Sequence, residues 1–475
     1  MKTKELIFKK LTDAVISQKQ LRYFAIDQLD KYMFNEMVIK YDGTDDHDTQ
    51  LARYHFYSAL SHSVQRNLDK EYISNNAIMK LKDTLIGNTL IRSSQDKIKD
   101  IHIKYKEKYG EYPPNFITLS PTQRCNLQCT GCYAASNENT SHTLPYNIVD
   151  KIVSEVYNIF GNKFIVISGG EPFMYKSNGK TLIDLFEKYS DVFFLVYTNG
   201  TLINSTIAKK LAVLGNVTAA ISVEGYNKET DKRRGKGVHD KILHAMAELR
   251  AAGVPFGISV TATTTNVDLL FTEEFYDYYF DELGATYMWQ FQFMPIGKGN
   301  NILDLVVSPE NRVKLYKIWE RIVKEKKYPL ADFWNNAILS NGCIAYGNDS
   351  GYLYIDWNGN IMPCVFVPYY VDNVYDLYKS NKTLADATLS CLMQRGRKWK
   401  SEYRKNNYNK LMPCSIRDHY KNFRENILTK NSKPENKQAA ESLKDENYYQ
   451  SMVNYDDKLT ELTEKINKEK QSVLK

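Results

Sequence analysis

Cys125-Asn126-Leu127-Gln128-Cys129-Thr130-Gly131-Cys132 is a C-x3-C-x2-C run that follows the apolar segment Phe116-Ile117-Thr118-Leu119 and places three thiols on one short loop. Three ligands this close suit one metal cluster. An iron-sulfur cube held by four thiolates has every iron capped by protein, whereas three thiolates leave one iron open to a substrate or cofactor. Structural zinc is the rival reading, but it prefers four ligands in paired spacing, and no further Cys or His occurs before His142. A disulfide framework fits less well, because seven cysteines are an odd number spread thinly over 475 residues.

Three more stretches close apolar runs downstream. Ser168-Gly169-Gly170-Glu171-Pro172 follows Phe164-Ile165-Val166-Ile167, Thr198-Asn199-Gly200 ends Phe193-Phe194-Leu195-Val196-Tyr197, and Ser222-Val223-Glu224-Gly225 ends Ala219-Ala220-Ile221. Singly these are ordinary turns, since Asn-Gly and Gly-Gly punctuate loops everywhere. In this order behind the cysteine run, they resemble the radical S-adenosylmethionine (SAM) superfamily, over about Phe116 to Tyr420.

The resemblance implies a [4Fe-4S] cluster on Cys125, Cys129 and Cys132 whose open iron chelates SAM, and whose electron cleaves SAM to a 5′-deoxyadenosyl radical. It puts the Gly169-Gly170 backbone and Glu171 at the SAM ammonium, with Thr198, Asn199, Ser222 and Glu224 on the ribose hydroxyls and the methionine carboxylate. Glycine suits such an approach, having no Cβ. Arg233 and Arg234 both lie where relatives carry an arginine that forks onto that carboxylate, and Arg234 is the named candidate. Gly297, in Pro295-Ile296-Gly297-Lys298-Gly299, falls where the family contacts adenine, although a plain turn explains it as well. One position departs from the pattern: many relatives have an aromatic residue just before the third cysteine, and here it is Gly131, with Tyr133 as a partial substitute.

Length sets a soft expectation of about three domains. The 43% apolar content suffices for a core, and 63 basic against 56 acidic residues give a diffuse +7 that does not argue for nucleic acid. No apolar run approaches the roughly 18 residues of a membrane span, and the start is not a signal peptide, so a soluble cytoplasmic protein is expected. A reducing compartment also suits cluster thiolates.

Residues 1–110 read as helical: Leu6, Ile7, Leu11, Val15 and Ile16, then Leu21, Phe24, Ile26 and Leu29 recur at helical spacing, with a break at Asp42-Gly43-Thr44-Asp45-Asp46. Lys9, Lys10, Arg22, Tyr23 and Phe24 suit a membrane surface or a partner, but packing against a barrel accounts for them more simply. Some relatives that modify peptides begin with a strand-rich module that grips a leader peptide. A helical start points away from that substrate. From Phe116, strands near 116–119, 164–168, 193–198, 217–223, 257–263 and 288–294 alternate with helical stretches at 148–160, 182–189, 205–214, 241–252 and 267–283. The expectation is a partial (β/α)6 TIM-like barrel over 111–328, with its motifs at the strand C-terminal ends. Trp289, Phe291 and Phe293 alternate on one face and are candidates to line a substrate cavity.

Beyond the barrel, Gly342-Cys343 precedes a hairpin of 351–357 and 361–364 turning at Asn358-Gly359, with Cys364 at its end and Cys391 and Cys414 further on. The layout resembles the SPASM or twitch extensions of radical SAM enzymes. It implies an auxiliary iron-sulfur cluster on Cys343, Cys364 and Cys414 in a small domain at 329–425, with Cys391, Asp418 or His419 open as a fourth ligand or the fourth iron left free. Residues 426–475 form a polar, charged helical tail with Leu459, Leu462 and Ile466 at helical spacing.

The expected activity is reductive SAM cleavage and hydrogen abstraction from a small-molecule or lipid-like substrate, with an electron donor such as flavodoxin or ferredoxin. Modification of a peptide or protein is the alternative, and a non-catalytic iron-sulfur electron carrier is the reading from another class. The carrier reading leaves Gly169-Gly170-Glu171, Ser222 and Glu224 unexplained.

Overall fold

The computed structural model describes residues 2–40, 46–85, 96–140, 142–335, 337–348, 351–405 and 408–472; of the break expected at 42–46, residues 42–45 lie outside them and Asp46 caps the helix His47–Asp69. Strands β1 (Phe116–Leu119), β2 (Phe164–Ile167), β3 (Phe193–Thr198), β4 (Val217–Val223), β5 (Gly257–Ala262) and β6 (Met288–Gln292) fall where the apolar runs predict them. Helices alternate with them, including Tyr146–Asn158, Leu182–Lys188, Ser205–Leu214 and Val238–Ala251. The stretch 267–283 departs from its expected single helix: extended Thr272 separates a 3-10 turn from a short helix, Glu273–Asp277, that runs on into a π-helical turn.

Two strands beyond the expected six continue the sheet. After the helix Pro309–Lys324, β7 (Leu330–Asp332) pairs parallel with β6, and β8 (Tyr352–Ile355) pairs parallel with β1, Phe116 opposite Tyr352. Strand β9 (Asn360–Met362) completes the expected hairpin antiparallel to β8. With β10 (Tyr369–Tyr370), β11 (Asp372–Asn373) and β12 (Lys433–Pro434), the described strands form a ten-stranded sheet, β11-β9-β8-β1-β2-β3-β4-β5-β6-β7, and a two-stranded one, β10-β12. Residues 329–425 therefore share the barrel's own sheet at both edges. Eight neighbouring strands, β8 and β1 to β7, are parallel, and β7 does not pair with β8, so the barrel stays open.

Alternation assigns the two faces. Ile117, Ile165, Phe194, Ala219, Ile258 and Met288 belong to the main core under the helices, whereas Phe116, Val166, Leu195, Tyr197, Ala220 and Trp289 form a separate cluster on the lumen face. Among the described residues, those at 2–40, 46–85 and 96–109 are helical with short connections and contain no strand. No described helix is long and apolar enough to cross a membrane. The tail docks: in helix Glu446–Ser472, Tyr448, Met452 and Leu459 are buried.

Candidate active site

The cysteine loop leaves β1 at the C-terminal end of the parallel strands and is held there by their ends. Gly170 N donates to Thr122 O (2.9 Å) and Glu171 N to Arg124 O (2.8 Å), while Lys298 N donates to Cys132 O (3.0 Å). The glycines serve this contact. A Cβ on Gly170 would stand 2.2 Å from Arg124 O, and one on Gly297 2.2 Å from Tyr133 O. What these two glycines approach is the chain's own loop. Gly131 has a similar reason: its absent Cβ would meet the Phe293 ring at 2.4 Å, so an aromatic side chain from beyond β6 occupies the space next to the third cysteine. Sequence spacing could not reveal that packing.

All seven cysteines are free. Cys125, Cys129 and Cys132 lie within electrostatic reach of one another. Among the described residues, no three His, Cys, Asp or Glu side chains gather as a single metal ion requires. Burial pushes the Cys125 thiol up to about 12, against a hydrogen bond from Leu127 N (3.4 Å), and burial raises Cys129 against the pull of Arg234. Asn199 Nδ2 stands 3.8 Å from Cys125 Sγ and donates to Asn126 Oδ1 at 2.8 Å.

Two carboxylates organise the surroundings. Glu171 is fully buried; Oε1 accepts from Thr198 Oγ1 (2.7 Å) and Phe173 N (3.1 Å), and Oε2 from Asn199 N (2.8 Å). Glu171 thereby clamps the ends of β2 and β3, and burial raises it to about 6 against those bonds. Glu224 Oε1 takes both guanidiniums, Arg233 Nη1 at 2.7 Å and Arg234 Nε at 2.9 Å, and Oε2 is buried without a partner among the described residues. Burial opposes the Arg234 charge, but Glu224 and Cys129 more than offset it. Arg233 also ties to the loop through Thr130 O (3.2 Å). Ser222 Oγ meets Ser259 Oγ at 3.3 Å.

Cys343, Cys364 and Cys414 come from separate segments yet lie within electrostatic reach of one another. Tyr352 OH donates to Cys364 Sγ at 3.0 Å and Phe366 N at 3.5 Å. Burial pushes Cys364 up to about 12; burial and then Asp418 push Cys414 well above the usual thiol range. The three candidates for a fourth ligand are engaged elsewhere. Cys391 starts the helix Cys391–Lys405 and donates to Thr429 Oγ1 (3.5 Å). Asp418 is wholly buried in an ion pair with Arg312 and accepts from Cys414 N (2.9 Å). His419 Nε2 meets Met412 O (2.9 Å), with its ring against Trp399 and Tyr403.

An aromatic lining joins the two sets. Tyr197 and Trp289 flank Phe291 (5.7 and 6.4 Å between centroids), and Phe366 lies 6.1 Å from Phe291 and 6.5 Å from Tyr133, the residue after Cys132.

Residues 119–275 match the Radical SAM superfamily. The chain carries a radical SAM domain and is an enzyme of the radical SAM type, a class that implies a [4Fe-4S] cluster and SAM. It is similar to the AdoMet-dependent heme synthase of Methanosarcina barkeri, 26% identical over 293 residues that cover 55% of this chain and 79% of that protein. It is 29% identical over 287 residues to the mycofactocin maturase MftC of Mycolicibacterium smegmatis, covering 58% of this chain and 68% of that protein. Among solved structures it resembles Streptococcus suis SuiB bound to S-adenosylmethionine, with a TM-score of 0.51 at 16% identity over 66% of this chain and 76% of that one, a likeness of fold.

Proposed function

We propose that Cys125, Cys129 and Cys132 hold the SAM cluster, and that Cys343, Cys364 and Cys414 hold an auxiliary iron-sulfur cluster with one iron free of protein ligands. The observation that carries this is the convergence of the first three thiols with Glu171, Asn199, Glu224 and Arg234 at one end of the parallel strands. The donor sets fit: free thiols, N–H groups directed at Cys125 and Cys364 sulfurs, and an unpartnered Glu224 oxygen beside the first set. When bound, the cluster supplies the electron that cleaves SAM to a 5′-deoxyadenosyl radical. The chain's part is to orient SAM through the strand-end polar groups and exclude water with the aromatic lining. Ser222 and Glu224 would serve the ribose and the methionine end, with Arg233 and Arg234 fixing the Glu224 carboxylate. Residues 111–328 form the core unit and 329–425 the auxiliary unit, completed across one sheet.

The substrate is a small molecule or lipid-like compound taken into the lumen. The aromatic lining and the heme synthase likeness support this. The likeness to MftC favours a second reading, a peptide or protein maturase, which a precursor peptide encoded beside the gene would strengthen. A cytoplasmic setting with a flavodoxin- or ferredoxin-type electron donor suits both. The test is anaerobic reconstitution, then dithionite and SAM: 5′-deoxyadenosine from protein holding about eight irons supports the reading. Loaded protein that neither binds nor cleaves SAM, with or without candidate substrates, sinks it.

A further inference from the structure

Tyr352 begins β8 on a register that the turn at Asn358-Gly359 fixes. Ile355 stands opposite Ile361 and Tyr354 opposite Met362, so the same register carried two residues further brings Tyr352 opposite Cys364, where facing side chains share one side of the hairpin. Tyr352 also pairs with Phe116 of β1, the strand that leads into the Cys125 loop, and the two rings stack at 5.0 Å between centroids and 3° between planes. Its backbone N donates to Ile344 O at 2.8 Å, next to Cys343, and Tyr346 N reaches Pro363 O at 3.2 Å, next to Cys364. One tyrosine therefore joins the first barrel strand, the segment of Cys343 and the sulfur of Cys364.

Its hydroxyl is committed. The side chain is 2% exposed, so bulk water does not compete for it. A phenol has one proton to give and an oxygen that accepts. Val365 N donates to that oxygen at 3.2 Å, and the proton is directed at Cys364 Sγ at 3.0 Å. Satisfying Val365 N would ask only for an acceptor; the register and the Phe116 stack also aim the proton at sulfur. Phe366 N brings a second donor to the same sulfur at 3.5 Å. A thiol sulfur is a weak acceptor, whereas hydrogen bonds to charged acceptors are the strong ones. A donor held here gains most when negative charge on the sulfur grows, as it does on one-electron reduction of an iron-sulfur cube, and hydrogen bonds to the sulfurs are among the levers that set such potentials.

We propose that Tyr352 is a positioning residue that raises the reduction potential of the auxiliary cluster, by holding its hydroxyl proton on the Cys364 sulfur. This rests on the reading that Cys343, Cys364 and Cys414 hold that cluster. The ring stack on Phe116 keeps the hydroxyl in place, so β1 supports the tuning contact at one cysteine set while it leads into the loop of the other.

The test measures potentials by EPR over an anaerobic potentiometric series on reconstituted full chain, with the auxiliary signal isolated in a background of Cys125, Cys129 and Cys132 replaced by Ala. Tyr352→Phe in that background is expected to keep about four irons per chain. Its ratio of reduced to oxidised cluster at a fixed potential is expected to fall about tenfold, a downward shift of about 59 mV for a one-electron couple. With the barrel thiols restored, the potential of the SAM cluster is expected to stay where it is in the wild type. An unchanged or higher auxiliary potential in Tyr352→Phe overturns the proposal. So does loss of iron in that variant, which would make the hydroxyl a structural support, or an equal shift at both clusters. Should Tyr352→Phe not fold, 3-fluorotyrosine at position 352, a stronger donor of nearly the same shape, is expected to raise the auxiliary potential, and no rise overturns the proposal. A background protein that binds no iron sinks the auxiliary-cluster reading itself, and the role of Tyr352 with it.

Discussion

Cys125, Cys129 and Cys132 share one loop, shaped by the strand ends that touch it, whereas Cys343, Cys364 and Cys414 arrive from three segments and are drawn together by distant side chains. In the first set the fixing contacts are backbone to backbone, with Gly170 and Gly297 admitting the approach. In the second they include the buried Arg312–Asp418 pair, Arg312 Nη2 to Leu411 O (2.8 Å), Asp418 to Cys414 N, and Tyr346 OH against Ser415 Oγ (2.6 Å). A loop gripped by backbone survives most side-chain changes. A site assembled through a buried ion pair does not, because removing one partner strands the other charge.

Replacing Cys125, Cys129 and Cys132 together with Ala gives the largest expected effect: no 5′-deoxyadenosine, and iron falling from about eight to about four per chain as the second set keeps its cube. Product at the wild-type level would end the comparison. Next comes Arg312→Met, expected to cost about 3–5 kcal/mol in anaerobic denaturant unfolding by leaving Asp418 buried and unpaired, while Arg312→Met with Asp418→Leu recovers most of it. If the single and double variants are equally unstable, the pair does not organise the second set.

Gly170→Ala is expected to cost about 1–3 kcal/mol, by forcing a Cβ against Arg124 O, and to lose iron from the first set only. Equal iron loss from both sets, followed by Mössbauer spectroscopy, would argue against independent construction. Asp456 adds a pH dependence that belongs to the second region. Its Oδ2 accepts from Tyr420 N, Oδ1 is buried without a partner among the described residues, and burial raises it from the ordinary value of 3.8 to about 8. The folded state thus holds this proton more tightly than the unfolded state, so stability falls as pH rises between about 4 and about 8. Asp456→Asn is expected to flatten that slope, read from melting temperature against pH. Cys391→Ser should do least, changing stability by less than about 0.5 kcal/mol and leaving iron content intact; loss of an iron would make Cys391 a ligand after all.

The same contrast explains what was legible in the sequence. The six strands, most of the helices between them and the C-x3-C-x2-C loop are local patterns, and a period of two or a fixed spacing survives in the sequence as written. The broken helix at 267–283 was not legible, since the extended Thr272 interrupts residues whose apolar spacing is otherwise helical. Strand β8 was foreseen as half of a hairpin, but its pairing with β1 joins Phe116 to Tyr352 and has no local signature, and the short strand β7 went unforeseen. The sequence reading has Gly170 and Gly297 admit a ligand, whereas the close approach seen in the fold is to a neighbouring turn of the chain, which only tertiary structure reveals. Gly131 is small because Phe293 fills its space.

The most direct test replaces Cys343, Cys364 and Cys414 with Ala in the full chain, reconstitutes it without oxygen, and measures iron and dithionite-driven 5′-deoxyadenosine on the same sample. The account predicts iron falling from about eight to about four per chain, with SAM cleavage persisting on the barrel thiols. Unchanged iron, or cleavage lost while four irons remain, would contradict it.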